Sequence, residues 1–204
     1  MLVVGLTGSI GMGKSTAAAR FRERGIPVFD ADAEVHRLYA GPLNDEIERA
    51  FPGSVTGQTV DRSKLAEQLL ANPSRFKDLE AIVHPRVEEA ERRFLQDEKA
   101  HDAAMAVLEI PLLLERDRDE YVDAIVVVTA SPEVQRARVL SRPGMTEAKF
   151  EAVVSRQLPE AEKQSRADFV VDTNGSIENC NSQIDRIISK LLPLSATAYD
   201  EFWR

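Results

Sequence analysis

The residues Gly8-Ser9-Ile10-Gly11-Met12-Gly13-Lys14-Ser15 fit the pattern G-x-x-x-x-G-K-[ST], a spacing suited to cradling phosphate. Glycine lets successive backbone N–H groups turn inward around phosphate oxygens, and a helix opening at Lys14 adds its partial positive N-terminal charge. Lys14 brings a point charge to the terminal phosphates, and the Ser15 hydroxyl is a hard oxygen able to ligate magnesium. The pattern follows a short apolar run and precedes a helical one, as this loop requires. A bound nucleoside triphosphate is therefore expected. Further on, Phe29-Asp30-Ala31-Asp32 sets two carboxylates where a second apolar run ends. An alcohol acceptor must lose a proton as it attacks phosphorus, and a positioned aspartate can take it; a phosphate acceptor needs no base. One of the two is expected to cap the following helix, leaving the other for catalysis. A third constellation is basic: Arg136 to Arg166 holds seven Lys and Arg against four Asp and Glu. This local +3 leaves −11 for the rest of a chain whose formal charge is −8, so positive charge gathers where a flap could close over phosphates.

These residues need elements to hold them. Leu2–Leu6, Pro27–Asp30, Ala104–Ile110, Ala124–Thr129 and Asp168–Asp172 are short, β-branched and almost wholly apolar, as suits strands of a parallel sheet covered on both faces. Between them lie helical stretches: Lys14–Arg24, a helix opened by Ser131-Pro132-Glu133, and Ser176–Leu192 with its apolar stripe. The class is α/β, with a five-stranded parallel sheet flanked by helices. From Ala31 to Ala103 the rhythm breaks: strand signal is nearly absent, and Arg62–Leu70, Ser74–Ile82 and Pro85–Asp97 read as helices. That interval is too long for one crossover, so residues 31–103 are expected to form an inserted helical subdomain and residues 142–166 a helical lid. The whole chain, 1–204, reads as one domain carrying these two excursions.

Composition removes several classes. At 43% hydrophobic and 29% charged the chain is an ordinary globular one, and its acidity argues against a general nucleic-acid binder. No apolar run approaches the about eighteen residues of a membrane span. The start Met1-Leu2-Val3-Val4 has neither basic n-region nor cleavage site, and the single Cys180 cannot form an internal disulfide; a cytoplasmic location is expected. A guanine-reading N-K-x-D is absent, and the one D-x-x-G, Asp172–Gly175, falls far from the loop, so a regulatory GTPase does not fit. No serine-glycine-glycine signature of a transporter ATPase is present either. A small kinase fits. His36, His101 and Cys180 lack ligand spacing and read as structural or surface residues.

Taken in order, Thr7–Thr16, Asp30-Ala31-Asp32, Ile82-Val83-His84-Pro85, Pro111-Leu112-Leu113-Leu114-Glu115 and Asp172-Thr173-Asn174-Gly175 resemble the dephospho-CoA kinase family, from Val4 to about Gly175. The resemblance implies a P-loop nucleoside-triphosphate hydrolase type of fold with an acceptor-binding helical subdomain and a lid. It implies transfer of the γ-phosphate of ATP to the ribose 3′-hydroxyl of dephospho-CoA with Mg2+, completing coenzyme A. Gly8, Gly11, Met12, Gly13, Lys14, Ser15 and Thr16 would then hold ATP, with Ser15 on the metal. Asp32 matches the family's catalytic aspartate, and Asp30 is expected to turn back toward Ser15 and the magnesium waters. Arg138 would reach the transferring phosphoryl and Arg142 would be a lid contact to ATP. Asn174 and Gly175 would lie by the adenine, and His84 and Pro85 would touch the acceptor. Glu109 stands where many relatives have aspartate and would hold a magnesium-bound water. A P-loop kinase for another small alcohol or nucleoside acceptor, and a non-catalytic nucleotide switch, are the rival readings.

Overall fold

The computed structural model describes residues 1–204, which divide into two compact units, 1–29 with 94–204 and 30–93. The first is built on strands β1 (Leu2–Thr7), β2 (Val28–Asp30), β5 (Met105–Glu109), β6 (Ala124–Thr129) and β7 (Phe169–Asp172). They form a five-stranded parallel sheet of order β2-β5-β1-β6-β7. The runs LVVGLT, MAVLE and AIVVVT are buried almost without interruption because they occupy the three middle places, covered on both faces. The edge strands β2 and β7 are only partly buried, and their residues are more polar for the same reason.

Helix α1 (Lys14–Glu23) and helix α9 (Ile177–Leu191) pack against this sheet and each other. In α9 the buried residues are Cys180, Ile184, Ile187 and Leu191, the spacing of one helix face. They join Phe21, Val4, Leu6, Val107 and Val126 in one core. At the rim, Asp185 receives paired hydrogen bonds from Arg20 (2.8 and 2.6 Å) and from Arg24 (2.8 and 2.7 Å). Both guanidiniums, Arg20 first, hold the Asp185 carboxyl well below the usual carboxylate range. A depressed carboxylate stabilises the fold above its unfolded pKa, about 4, and loses that contribution as pH falls. Asp185→Asn is therefore expected to melt below the parent at pH 7, with the gap closing in melts below about pH 3. A gap that stays constant with pH would show that the ionised pair contributes nothing.

The first unit is completed by α6 (Pro132–Leu140), α7 (Glu147–Val154) and α8 (Glu160–Ser165). Ser131 caps α6 by accepting from the Val134 N–H at 3.4 Å, with Pro132 in the first turn, as its sequence signature predicts.

The second unit contains α2 (Ala31–Tyr39), α3 (Asn44–Ala50), α4 (Arg62–Ala71), a hairpin of β3 (Val55–Thr56) and β4 (Thr59–Val60), and most of α5 (Phe76–Ala100). Ala31, Leu38, Leu43, Ile47, Phe51, Val60, Leu65, Leu69, Val83 and Val87 are its buried apolar residues. The hairpin is absent from the sequence reading because two-residue strands are too short to show alternation; Gly57 at φ +65° makes its turn. The two helices expected at Ser74–Ile82 and Pro85–Asp97 are instead one, with Pro85 inside it. Pro85 lacks the N–H that would bond the Ala81 carbonyl, but both residues are exposed, so the missing bond falls on the solvent side of the helix. Val83 and Val87, buried on the other side, hold the helix through the gap. Compactness also places the end of this unit at Arg93, within α5, where the sequence rhythm suggests 103. No helix is long and apolar enough to cross a membrane.

Candidate active site

The loop between β1 and α1 turns on glycines that nothing else can replace. Gly8 has φ +151°, and a Cβ there would lie 2.6 Å from the Val128 carbonyl oxygen. Gly11 has φ +78°, and its Cβ would lie 2.5 Å from Val139 Cγ2. Both positions thus combine a left-handed or near-extended positive φ with a wall of β6 or α6. Helix α1 begins at Gly13 with no side-chain cap and no acid in its first turn. Its N-terminal positive charge is left for a ligand, which is what an anion site requires.

Beside this loop opens a cavity of about 410 Å³. Gly11, Gly13, Ser15 and Thr16 form one wall, Arg138 and Arg142 a second, and Thr173, Gly175, Ser176, Ile177 and Cys180 the third. Loop, α6 and the segment after β7 meet here because parallel strands put their carboxyl ends, and the following turns, on one edge of the sheet. Burial pushes the Cys180 thiol up, against the opposing charge of Arg138, so it is a neutral wall and not a ligand.

The expected site residues fall into three groups. Lys14 Nζ donates to the Gly8 carbonyl at 2.8 Å, so the loop lysine has a partner within its own loop. The Ser15 hydroxyl is exposed and makes no hydrogen bond within the protein. Arg142, also exposed, presents a guanidinium with no partner of its own. Arg138 is held: it donates to the Thr173 carbonyl at 2.6 Å, the Thr173 hydroxyl at 2.9 Å and the Gly11 carbonyl at 3.4 Å.

A second group contributes differently from the sequence expectation. The Met12 side chain is buried in the core and its sulfur accepts from the Ala130 N–H, so only its backbone faces the loop. Asn174 lies outside the cavity wall; its amide oxygen accepts from the Ser131 N–H at 2.7 Å and its nitrogen donates to Asp172 at 2.7 Å. Glu109 is buried, 3.9 Å from Arg22, at the level of Leu6 on the neighbouring strand. Part of the basic charge of residues 136–166 is spent on ion pairs: Arg136 with Glu147 inside the stretch, and Lys163 with Glu115 and Arg166 with Asp117 and Asp119 beyond it. Glu115, Asp117 and Asp119 come from before β6, outside the window in which the charge was counted.

The third group lies in the unit of residues 30–93. Asp30 is the N-cap of α2, its carboxylate accepting from the Ala33 N–H at 2.9 Å. Extended backbone at φ −110°, ψ 103° sets Asp30 Oδ1 on its own helix. Asp32, in the first turn of α2, is exposed and makes no hydrogen bond or ion pair. His84 is half-buried and Pro85 exposed, both within α5.

Thr173 was not singled out by residue type. Its hydroxyl accepts from Arg138 and lies 2.9 Å from the Met12 carbonyl and 3.1 Å from the Thr129 carbonyl. Its sequence signals are its place in the Asp172–Gly175 motif and immediately after strand β7, in the loop edge where ligands bind.

For magnesium, the protein donors that fit are few. No group of three or more His, Cys, Asp or Glu side chains is placed to hold an ion alone. The free Ser15 hydroxyl suits an ion carried in by phosphate oxygens, as hard-oxygen coordination allows.

The family model described as dephospho-CoA kinase matches residues 2–179. The chain is 51% identical over 191 residues to the dephospho-CoA kinase of Agrobacterium fabrum, covering 94% of this chain and 98% of that one. It is 50% identical to the dephospho-CoA kinase of Brucella melitensis, covering 97% and 99%. The crystal structure of TT1252 from Thermus thermophilus superposes with a TM-score of 0.79 at 37% identity, covering 93% of this chain and 97% of that one. On its sequence, the chain belongs to the dephospho-CoA kinase family.

Proposed function

We propose that this chain transfers the γ-phosphoryl group of ATP to the ribose 3′-hydroxyl of dephospho-CoA, in the cytoplasm, with Mg2+ as the ion. The observation that carries the reading is an uncapped phosphate loop beside a 410 Å³ cavity, in a chain of this family. Residues 31–103 are the acceptor-binding insertion in this reading, with His84 and Pro85 contributing contacts, and 142–166 the lid.

The triphosphate lies along the loop, where Gly8, Gly11, Gly13 and the N–H groups opening α1 receive its oxygens, and Thr16 borders the same cavity. Lys14 exchanges the Gly8 carbonyl for phosphate oxygen, a better partner because it is charged. Mg2+, held through Ser15, supplies charge neutralisation of the phosphate oxygens. Asp32 accepts the proton of the 3′-hydroxyl; that oxygen bonds the γ-phosphorus as the bond to the β,γ-bridging oxygen breaks, and ADP leaves. Asp32 suits the role because its carboxylate has no competing partner, whereas Asp30 is occupied as a cap. Arg138 meets the charge of the transferring group, Arg142 is a lid contact to ATP, and Gly175 with the neighbouring Asn174 marks the adenine end. Ile177, beside Gly175, gives that end an apolar surface.

An acceptor screen tests the function. ADP release coupled to an indicator is expected only with dephospho-CoA, with the 3′-phosphate confirmed by mass and by nuclease mapping. Turnover with a different alcohol and none with dephospho-CoA would move the chain to another substrate. Burst-free, acceptor-independent hydrolysis would favour a nucleotide switch.

Lys14→Ala tests the loop. Loss of the hydrogen bond to the Gly8 carbonyl is expected to lower stability by about 1 kcal/mol. Turnover is expected to fall at least about a hundredfold, the effect of removing a fixed charge from a developing anion. A folded variant with near-parent turnover would end the kinase reading.

A further inference from the structure

The apex of the phosphate loop is held from outside the loop. The Ile10 N–H donates to Gln157 Oε1 at 3.1 Å, and the Ile10 carbonyl accepts from Gln135 Nε2 at 2.9 Å. An N–H only donates and a carbonyl only accepts, so the backbone itself decides which end of each amide is used. The Ser9 hydroxyl adds a bond to Glu160 at 3.3 Å. Gln135 is buried in α6, while Gln157 lies between α7 and α8. That connecting segment is itself pinned, because Glu115 accepts from the Leu158 N–H at 3.0 Å and pairs at 2.6 Å with the fully buried Lys163. Breaking such a pair strands a buried charge, so Gln157 projects from a fixed strut.

The clamp meets the loop where it is least rigid. Gly8 and Gly11, both at positive φ, flank Ser9 and Ile10 and resist rotation of the intervening peptides only weakly. An Ile10 carbonyl swung inward would set its oxygen against an incoming phosphate, and a loop without a fixed shape must be ordered at the expense of affinity. We infer that Gln157 and Gln135 are positioning residues of the phosphate loop, clamping the two peptide groups around Ile10 so that the loop stands ready for the triphosphate and moves with the base of the α7–α8 segment. The inference rests on the reading that this loop takes ATP.

The test is calorimetric titration of the full chain with a non-hydrolysable ATP analogue and Mg2+, alongside steady-state kinetics and thermal melts. Gln157→Met and Gln135→Met are each expected to weaken analogue binding about three- to tenfold, the effect of one lost hydrogen bond. The KM for dephospho-CoA is expected to move less than about twofold, since neither amide is placed on the acceptor. The charged pair gives the sharper signature. Gln157→Glu keeps an acceptor facing the Ile10 N–H, whereas Gln135→Glu turns a carboxylate on the Ile10 carbonyl. Both bring the same charge to the same residue, so their difference reads hydrogen-bond polarity, and Gln135→Glu is expected to bind the analogue at least about tenfold more weakly. Equal effects of the two glutamates, or methionine variants with parent affinity, overturn the clamp. So does a loss of affinity that tracks the melting temperature and the KM of both substrates, the mark of a merely structural role. If a methionine variant does not fold, the glutamate comparison decides alone. A parent chain that binds the analogue yet fails to phosphorylate dephospho-CoA counts against the proposed function only, and the clamp is still read from the titration.

Discussion

Single-turnover transfer to dephospho-CoA is expected to slow by about a hundred- to ten-thousandfold in Asp32→Asn, the range for loss of a general base. Asparagine keeps the shape and can still accept a hydrogen bond, but it cannot take the ribose proton. ATP affinity, measured separately by titration, is expected to stay within about twofold, because the residue acts on the acceptor in this mechanism. A loose phosphoryl-transfer transition state demands little early deprotonation, which sets the lower end of the range. Asp30→Asn is the control. Asp30 is a helix cap, and asparagine caps as well as aspartate, so transfer by that variant is expected to remain within a few-fold of the parent. Loss of transfer in Asp30→Asn with survival in Asp32→Asn would exchange the two roles.

Arg138→Ala is expected to lower kcat by about a thousandfold, the scale of an arginine acting on the transferring phosphoryl group. The three hydrogen bonds of Arg138 sharpen this prediction. To meet phosphate the guanidinium must keep Thr173 and Gly11 or give them up, and its five donors in a planar fork allow both at once. A lysine ammonium cannot span three acceptors in that arrangement, so Arg138→Lys is expected to recover little. The Thr173 carbonyl would also lose its 2.6 Å donor, lowering the melting temperature slightly. Arg142→Ala, removing a guanidinium without protein partners, is expected to act mainly on the KM for ATP. If the two variants show the opposite split, kcat falling for Arg142 and only KM rising for Arg138, then Arg138 is the clamp of the Thr173 loop and Arg142 the phosphoryl arginine.

Local pattern determined much of this protein. The phosphate loop, the five sheet strands and the cap at Ser131 are short-range features, legible because each depends on neighbours in the chain. The ordered motifs likewise pointed to the family, whose model matches residues 2–179. The sheet order β2-β5-β1-β6-β7 was not legible, because pairing depends on crossovers whose packing no local run encodes. Nor was it legible which of Asp30 and Asp32 caps α2, since that rests on a backbone angle that aims the Asp30 carboxylate at the Ala33 N–H. The basic stretch from Arg136 to Arg166 looked free as a sequence. Only the tertiary structure brings Glu115, Asp117 and Asp119 to it, leaving Arg142 as the exposed guanidinium of the cavity. Gln135, Gln157 and Thr173 carry no motif chemistry of their own. Each gains its place by meeting a backbone group more than a hundred residues away in the chain, and such meetings are decided by packing, not by residue type.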